Sequence, residues 1–294
     1  MELLTLKVKP LSTFVTIPKG DTIFGNILAY LYSNKEDKGY FKDYLTNKPK
    51  LIVSDMMPFG YVYKPNLPLD CFKSSNLDDV DKKELRKRNF ISLENLQDGN
   101  LHLCEKIKFS NTFATIKNSI HRNTFTTGIE NFAPYGIEET IYFTNLWMFI
   151  LVDNDIKDLI LKTVSKIGKF GFGKYASVGK GSFEIELINT PVKDIDSNYS
   201  ISISPTILKD KNIEMSWYEP FTRFGKYGLH NAHTNAFKKP SLMADSGAVV
   251  KLKEKTRYFG SCLNNGIDEK LSFLQGYSIS IPFKIKDEKC LNLK

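Results

Sequence analysis

Residues 168–181 read Gly-Lys-Phe-Gly-Phe-Gly-Lys-Tyr-Ala-Ser-Val-Gly-Lys-Gly, with five glycines, three lysines and no acidic residue. Glycine has no Cβ, so its backbone N–H group can approach a phosphate closely, and lysine supplies positive charge. Glycine-rich turns that bind nothing are also common. The segment therefore predicts a glycine-rich loop, which either binds phosphate groups or only connects two elements.

Two nucleotide-binding motifs do not fit this loop. A Walker A loop requires Gly-x-x-x-x-Gly-Lys-Ser/Thr, whereas Gly179-Lys180 is followed by another glycine. Gly171-x-Gly173-x-x-Ala176 has the spacing of a dinucleotide loop, but such a loop leaves a strand and opens a helix, and this one does the reverse. ATP and NAD are not expected as ligands, and we expect no cofactor and no metal.

Apolar periodicity on both sides of the loop predicts alternating strands and helices. A helix at Asp155–Ile167 precedes the loop, and a strand at Phe183–Leu187 follows it. Closer to the N-terminus, the same criteria predict a helix at Thr22–Tyr32 and strands at Glu2–Lys9, Leu51–Val53 and Ile141–Val152. Further strands are expected near Tyr61–Tyr63 and Ile107–Phe113. The order strand, helix, strand, strand, helix, strand is that of a βαββαβ ferredoxin-like (RRM-like) domain.

An insertion at about 60–130 interrupts this order, since Pro65–Glu105 is polar and weakly periodic and predicts a short helix near Lys83–Arg88. Residues 189–198 are typical of a linker. The sequence beyond them contains many strand patterns and little helical periodicity. We therefore expect an α+β chain with two ferredoxin-like domains, at 1–190 and 199–294, of which the second is degenerate.

The charge is distributed unevenly along the 294 residues. There are 41 Lys and Arg against 33 Asp and Glu, and the basic excess is concentrated in Lys106–Ile129 and Ile167–Phe183, which contain no acidic residue. These segments also carry glycine, serine, threonine and aromatic residues, which suits binding to a polyanion. No apolar run is long enough to span a bilayer and no secretory signal is visible, so we expect a cytoplasmic protein.

The four cysteines, Cys71, Cys104, Cys262 and Cys290, are widely separated and form no CxxC pair. A chain of this size without a secretory signal more often keeps such cysteines reduced and buried. Zinc sites require closely spaced ligand pairs. We therefore expect neither disulfide bonds nor structural zinc.

Four further segments, together with the glycine-rich loop, resemble the RAMP superfamily of CRISPR proteins. Lys19–Leu31 looks like the first helix of that superfamily, and Ile116–Gly128 resembles its central segment with Arg and Thr. Gly247–Leu252 and Gln275–Pro282 resemble the closing strands of the second domain. In order and spacing, the segments resemble the family of the subunit numbered four in the type III-A (Csm) effector complex, over nearly the whole chain.

This resemblance implies a CRISPR RNA-binding subunit with no catalytic activity of its own. In that family, the protein grips the 5′ handle of the CRISPR RNA and links the large polymerase-like subunit to the repeating backbone subunit. A thumb-like insertion meets the duplex of guide and target RNA. The implied partners are therefore the CRISPR RNA, these two subunits and, indirectly, the target RNA, with no membrane partner.

The resemblance also implies which residues contact the RNA. The lysines of the loop would neutralise phosphates, and its small residues would allow close approach: Lys169, Gly171, Gly173, Lys174, Ser177, Gly179, Lys180 and Gly181. Tyr175 would stack on a base. Lys117, Asn118, Arg122 and Thr124 would form a second clamp, since arginine suits both phosphates and base edges.

Four more candidate RNA-binding residues have two interpretations each. Lys9 lies on the polar face of the first predicted strand, where an RNA contact and a solvated surface are both consistent. Phe14 would either stack on RNA or pack against the following helix. Phe221 and Arg223, with Phe224, form an aromatic and basic cluster that suits single-stranded RNA. Core packing explains one of the two phenylalanines equally well.

Catalysis is not expected. Processing ribonucleases of the superfamily use a histidine near the first helix, and Leu11–Tyr32 contains none. The alternative function is a CRISPR-RNA processing endoribonuclease with His121 as its base. His230 and His233 have an HxxH spacing but no third ligand nearby, which favours a polar loop over a metal site. Asp21 is expected to be the N-cap of the first helix.

Overall fold

A computed structural model of the chain describes residues 1–46, 48–73, 82–128, 133–227, 237–267 and 272–291. Within these ranges the helices are α1 (Gly20–Ser33), α2 (Lys82–Lys87), α3 (Leu93–Gln97) and α4 (Lys157–Phe170). The strands up to residue 190 are β1 (Glu2–Pro10), β2 (Leu51–Val53), β3 (Met57–Pro58), β4 (Tyr61–Tyr63), β5 (Phe90–Ser92), β6 (Ser110–Lys117), β7 (Tyr135–Tyr142), β8 (Leu146–Val152) and β9 (Phe183–Ile188). Those after residue 190 are β10 (Tyr199–Ser202), β11 (Ile213–Trp217), β12 (Pro220–Arg223), β13 (Ser241–Ala244), β14 (Val249–Leu252), β15 (Tyr258–Gly260), β16 (Leu263–Asn264), β17 (Phe273–Leu274) and β18 (Tyr277–Pro282).

The first sheet has the strand order β2-β8-β1-β9, and β3 also pairs with β8. All of these pairs are antiparallel, and Leu6 of β1 lies opposite Met148 of β8 and Leu187 of β9. Helices α1 and α4 contact each other and pack on β2 and β9, respectively. The predicted helices and strands of this region are confirmed except for the two strands described next, and their bounds differ by a few residues at most.

The predicted strand at Ile141–Val152 is two strands, and the strand expected near Ile107–Phe113 begins later, at Ser110. The strand is interrupted between β7 and β8 because the backbone groups there form hydrogen bonds with other segments. The N–H of Phe143 donates to the carbonyl of Phe109, and the carbonyl of Asn145 accepts from the N–H of Phe59. Strand β8 therefore belongs to the buried sheet, while β7 leaves it and pairs with β6.

Strands β6 and β7 form a long antiparallel hairpin, paired from Ser110 and Tyr142 to Lys117 and Tyr135. Strand β6 lies within the predicted insertion, whereas β7 lies beyond its predicted end at about residue 130. Most of the side chains of the hairpin are exposed. The insertion also contains the predicted short helix, α2, and the two-stranded sheet of β4 and β5.

The second sheet has the order β11-β14-β10-β18-β15. None of the α-helices in the described residues lies beyond Phe170. The hydrophobic core beneath the second sheet is continuous with that of the first sheet. For example, Phe24 of α1 stacks on Tyr44 with a centroid distance of 4.7 Å, and Tyr44 packs edge-on against Tyr277 of β18 at 5.4 Å. The two parts of the chain therefore share one hydrophobic core.

Buried polar contacts also join the two sheets. The side chain of Gln275 is fully buried, accepts from the N–H of Val53 at 2.9 Å and donates to its carbonyl at 2.7 Å. Gln275 thus satisfies both backbone groups of Val53 at the edge of the first sheet, which would otherwise be buried without partners.

The start of α1 corrects the prediction for Asp21. The N-cap residue is Lys19, and the N–H of Gly20 donates to the carboxylate of Asp55 at 2.7 Å. Asp21 lies in the first turn, where its buried carboxylate pairs with Arg223 of β12. The sequence could not indicate this exchange of roles, because Asp55 and Arg223 reach the helix from other elements.

A disulfide bond between Cys71 and Cys290 corrects the expectation of four reduced cysteines. Cys104 and Cys262 are free and buried, as expected. The bond links the insertion to the C-terminal part of the chain across 219 positions of sequence. Spacing alone could not identify this pair, since only the tertiary structure brings the two residues together.

No helix within the described residues is both long and apolar enough to cross a lipid bilayer.

Candidate nucleic-acid interface

The glycine-rich loop connects α4 to β9 and lies against residues 11–16, which follow β1. The N–H of Gly181 donates to the carbonyl of Thr13 at 2.8 Å, and the N–H of Lys174 donates to Thr16 Oγ1 at 2.9 Å. The carbonyl of Ser182 accepts from the N–H groups of Leu11 and Ser12. The inner side of the loop is therefore bonded to the protein itself.

Two glycines are required where the loop packs most closely. Gly181 has φ +71°, and a Cβ there would lie 2.2 Å from the carbonyl oxygen of Phe172. Gly173 has φ +76°, and its Cβ would overlap Thr16. Since other residues rarely adopt this backbone conformation, glycine is needed at both positions for packing alone. At Gly179, by contrast, a Cβ would meet no atom within 4 Å, because this residue lies on the outer side.

Phe14 is not available for stacking on RNA, which corrects one of its two predicted roles. Its ring is 1% exposed and packs against Tyr142, Phe172 and Phe183, with centroid distances of 5.3 to 6.4 Å. Its N–H and carbonyl groups bond to Thr140 of β7. Phe14 thus supports the loop and the hairpin from below.

Lys180 has a partner inside the protein, which limits its predicted role as a phosphate ligand. Its Nζ atom donates to Glu139 Oε2 at 2.5 Å and to Thr13 Oγ1 at 2.9 Å, and Thr13 donates to the same Glu139 oxygen at 2.7 Å. The carboxylate of Glu139 is 3% exposed. These hydrogen bonds from Lys180 and Thr13 hold the pKa of Glu139 below its usual value. Lys180 therefore attaches the loop to β7.

The outer side of the loop remains exposed and carries the other two lysines. Lys169, Lys174 and Ser177 are exposed, and no carboxylate among the described residues lies within ion-pair distance of either lysine. The ammonium group of Lys174 lies 5.0 Å from the ring centroid of Tyr175. This side of the loop thus presents uncompensated positive charge beside an aromatic ring.

Tyr175 connects the loop to the hairpin. A hydrogen bond with Tyr175 raises the pKa of Tyr135 of β7, while the charges of Lys117 and Lys174 act in the opposite direction. Lys117, at the end of β6, pairs with Tyr135 in the hairpin register. The structure therefore brings Lys117, Tyr135, Lys174 and Tyr175 together, and we call these four residues the loop–hairpin surface.

The remaining residues of the predicted second clamp lie beyond the paired part of the hairpin. Asn118, Arg122 and Thr124 are exposed, and the hydroxyl of Thr124 is 3.3 Å from Nδ1 of His121. Within the described part of the chain, Arg122 has no carboxylate within ion-pair distance. Phe125, in the same segment, is 83% exposed and has a positive φ of 54°. Basic and apolar groups thus occupy the end of the hairpin together.

The contacts of Lys9, Phe221 and Arg223 are with residues outside the loop–hairpin surface. The Nζ atom of Lys9 is exposed and lies 3.9 Å from Glu184 of β9. Phe221 is half-buried against a small apolar cluster, and Arg223 pairs with Asp21. Of the two phenylalanines in this cluster, Phe221 packs and Phe224 is exposed, so Phe221 and Arg223 have structural roles that the sequence did not distinguish.

Tyr135 and Glu139 are site residues that the sequence analysis missed. Both lie on β7, four positions apart, and therefore on the same face of that strand. The period-two pattern of β7 places Tyr135 and Glu139 on one face, but the sequence does not show that β7 pairs with β6 and contacts the glycine-rich loop. No group of three or more potential metal ligands occurs among the described residues, and His230 and His233 lie outside them.

The loop–hairpin surface can bind an extended polyanion. Neither of its two lysines has a carboxylate within ion-pair distance among the described residues, and its two tyrosines offer aromatic rings for stacking. Both features suit contact with a phosphate backbone and with bases.

Comparison with solved structures shows the same fold in CRISPR effector complexes. A chain of the Csm1–Csm4 cassette in complex with pppApA is 15% identical, with 97% of this chain and 99% of that chain covered and a TM-score of 0.63. A chain of the Csm3–Csm4 subcomplex in the type III-A CRISPR-Cas interference complex is 15% identical, with coverage of 96% and 99% and a TM-score of 0.63. Csm4 is the component that the two complexes have in common. The likeness is one of fold.

No protein family and no curated protein matches the sequence.

Proposed function

We propose that this chain is a non-catalytic, CRISPR RNA-binding subunit of a type III-A effector complex. Its two parts would be two ferredoxin-like domains, the second of them degenerate. In the complex, it would grip the 5′ handle of the CRISPR RNA and link the large polymerase-like subunit to the backbone subunit. The fold shared with chains of the Csm1–Csm4 and Csm3–Csm4 complexes supports this assembly role.

The observation that carries the RNA-binding part is the contact between the glycine-rich loop and the hairpin. Lys180 of the loop donates to Glu139 of β7, and Tyr175 interacts with Tyr135 of the same strand. The charges of Lys117 and Lys174 both act on Tyr135 at this contact. Neither lysine has a carboxylate within ion-pair distance in the described residues, although Glu139 attracts Lys117 from further away, so both can pair with an RNA phosphate. Aromatic stacking would add roughly 1–3 kcal/mol per base.

The end of the hairpin would contact the duplex of guide and target RNA. Arg122 supplies positive charge there, and Ile116, Ile120 and Phe125 are apolar groups that are 74%, 60% and 83% exposed, respectively. An apolar side chain at the end of a projecting hairpin is suited to contact the face of an unstacked base. The handle would then lie on the loop–hairpin surface, and the duplex would lie further along the hairpin.

The RNA-binding proposal is tested by replacing Lys117 and Lys174 with alanine together. Because both contribute charge to a phosphate surface, affinity for handle RNA should fall for all sequences alike. The slope of log K against log salt should also flatten, by about 0.7 for each lost contact with a single strand. Filter binding across a salt series measures both quantities.

The matched control removes two exposed lysines elsewhere, Lys42→Ala with Lys253→Ala, and changes the net charge by the same amount. This control should retain the slope of the unmodified chain. Equal slopes for the test variant and the unmodified chain would remove the loop–hairpin surface from the RNA site.

The absence of catalysis is tested with CRISPR repeat RNA. The chain should leave the RNA intact in the presence of a chelator, since the proposed function is binding. Metal-independent cleavage that is lost in His121→Ala would instead establish the processing ribonuclease.

A further inference from the structure

A cleft of about 810 Å³ lies between the insertion and the second sheet, away from the loop–hairpin surface. Lys64, Arg86 and Arg88 line its wall on the insertion, and Trp217, Tyr218 and Glu219 line the opposite wall at the end of β11. Its volume falls in the range of sites that enclose small molecules.

The three basic residues of this cleft have no carboxylate within ion-pair distance among the described residues. The Nζ atom of Lys64 donates to the carbonyl of Leu85 at 2.5 Å, and Nη1 of Arg88 donates to the carbonyl of His102 at 2.8 Å. Arg86 lies exposed on α2. Burial lowers the pKa of Lys64, and the nearby charge of Arg88 lowers it further. The ammonium group of Lys64 also lies 4.6 Å from the ring centroid of Phe72, and the charge of Glu219 attracts it. A bound anion would stabilise the two arginines, which have no carboxylate within ion-pair distance among the described residues.

The opposite wall is aromatic. Trp217 is half-buried and lies 6.4 Å from the ring of Tyr199, which fixes its orientation. Tyr218 follows it and is 47% exposed. The carboxylate of Glu219, at the same wall, is an acceptor for an exocyclic amino group. Aromatic faces opposite arginines are suited to a flat base that carries a phosphate.

We propose that this cleft binds a nucleoside monophosphate unit, with the base against Trp217 and Tyr218 and the phosphate on Arg86 and Arg88. The unit is either a free nucleotide or one residue of a single-stranded RNA. The cleft shares no residue with the loop–hairpin surface, so the inference does not depend on the proposed function.

Fluorescence of Trp217 provides a direct test. The chain contains two tryptophans, and the other, Trp147, is buried with its indole N–H donated to the carbonyl of Tyr61. Quenching by an added ligand therefore reports Trp217. The full chain is titrated with AMP, GMP, CMP and UMP, with a four-nucleotide single-stranded RNA, and with adenosine and inorganic phosphate as partial ligands.

A saturable quench by at least one mononucleotide or by the RNA is expected, and adenosine should bind more weakly because it lacks the phosphate. Arg86→Ala should weaken binding roughly tenfold, the effect of losing about 1.4 kcal/mol. Arg86→Lys should retain part of the affinity, and Lys253→Ala should retain all of it. Tyr218→Ala should also weaken binding, with an unchanged melting temperature.

The source of the unit follows from the relative affinities. RNA that binds much more tightly than every mononucleotide indicates a residue of a strand, and equal affinities indicate a free nucleotide. The proposal is overturned by the absence of a saturable quench, by an unchanged affinity in Arg86→Ala, or by quenching with a tetraglutamate peptide but with no nucleotide. Binding of mononucleotides does not measure binding of the handle RNA. Either result therefore leaves the outcome of the Lys117 and Lys174 test of the proposed function unaffected.

Discussion

At the scale of single residues, the glycine-rich loop is shaped mainly by its contacts with the protein. Gly181 and Gly173 allow the chain to pass close to Phe172 and Thr16, and Phe14 fills the space below. Only the outer side, with Lys169 and Lys174, is directed to solvent. The loop is thus a rigid support for two lysines and a tyrosine, which reduces the conformational entropy lost when RNA binds.

Gly181→Ala should destabilise the chain much more than Gly179→Ala. Both positions have a positive φ, which costs alanine roughly 1–2 kcal/mol, but only at Gly181 would the Cβ lie 2.2 Å from a backbone oxygen. Thermal unfolding measures the difference. Gly179→Ala should lower the melting temperature by a few degrees, and Gly181→Ala by several times as much. Equal shifts would contradict the packing of the inner loop.

Glu139→Gln should remove an acid-sensitive contribution to stability. The pKa of Glu139 is lower in the folded chain, so its contribution is fully present above the ordinary value of 4.5 and is lost as the pH falls through the folded value. A hydrogen bond to a charged group contributes roughly 1.5–3 kcal/mol. The difference in melting temperature between the variant and the unmodified chain should therefore be largest at neutral pH and shrink below pH 4.5. A constant difference down to pH 3 would exclude the contact with Lys180.

At the scale of elements, the hairpin of β6 and β7 is stabilised by its own pairing and by its base. Eight residue pairs connect the strands, and Ile137 is buried at one of them. Ile116 and Phe125 are 74% and 83% exposed, respectively, so their apolar surface contributes little to folding. An exposed apolar group on a projecting element is typical of a binding surface.

Replacing Ile116 and Phe125 with serine should leave the melting temperature within about 1 °C, because surface substitutions usually change stability by less than 0.5 kcal/mol. The same variant should bind a guide–target duplex more weakly, as measured by fluorescence anisotropy. Ile137→Ser is the control within the hairpin and should destabilise, since it places a hydroxyl in a buried position. Unchanged duplex binding by the double variant would remove the hairpin end from the proposed interface.

At the scale of the whole molecule, one core and several polar contacts join the two parts of the chain. Phe24, Tyr44 and Tyr277 pack in a row across the boundary, and Gln275 bonds to both backbone groups of Val53. The Asp21–Arg223 pair and the disulfide between Cys71 and Cys290 add two further links. The two parts should therefore unfold together.

Residues 1–190 and 199–294, expressed separately, should not reach the stability of the full chain. Each fragment would expose the apolar surface that Tyr44 and Tyr277 bury in the intact molecule, which favours aggregation or partial unfolding. Urea unfolding followed by circular dichroism compares them with the full chain. A fragment with the midpoint of the full chain would show that the two parts fold independently, as the sequence-based domain bounds imply.

Local pattern was sufficient to predict the regular elements of the first sheet. The buried residues of α1 and α4 recur at helical spacing, because each helix buries one face. The apolar residues Leu4, Leu6 and Val8 of β1 alternate with polar ones, although Thr5 is buried as well. Glycines and lysines also identified the position of the loop. The prediction of a single strand at Ile141–Val152 was wrong because an apolar run does not show where the chain leaves one strand partner and pairs with another.

The sequence by itself therefore determined the elements of this protein, the position of its glycine-rich loop and the segments that carry its positive charge. Only the tertiary structure decided which charges remain uncompensated. Lys180 pairs with Glu139, and Arg223 pairs with Asp21, 202 positions away, while Lys117 and Lys174 have no such partner in the described residues. The physical reason is that burial periodicity is a local property, whereas an ion pair depends on where the topology places two distant side chains.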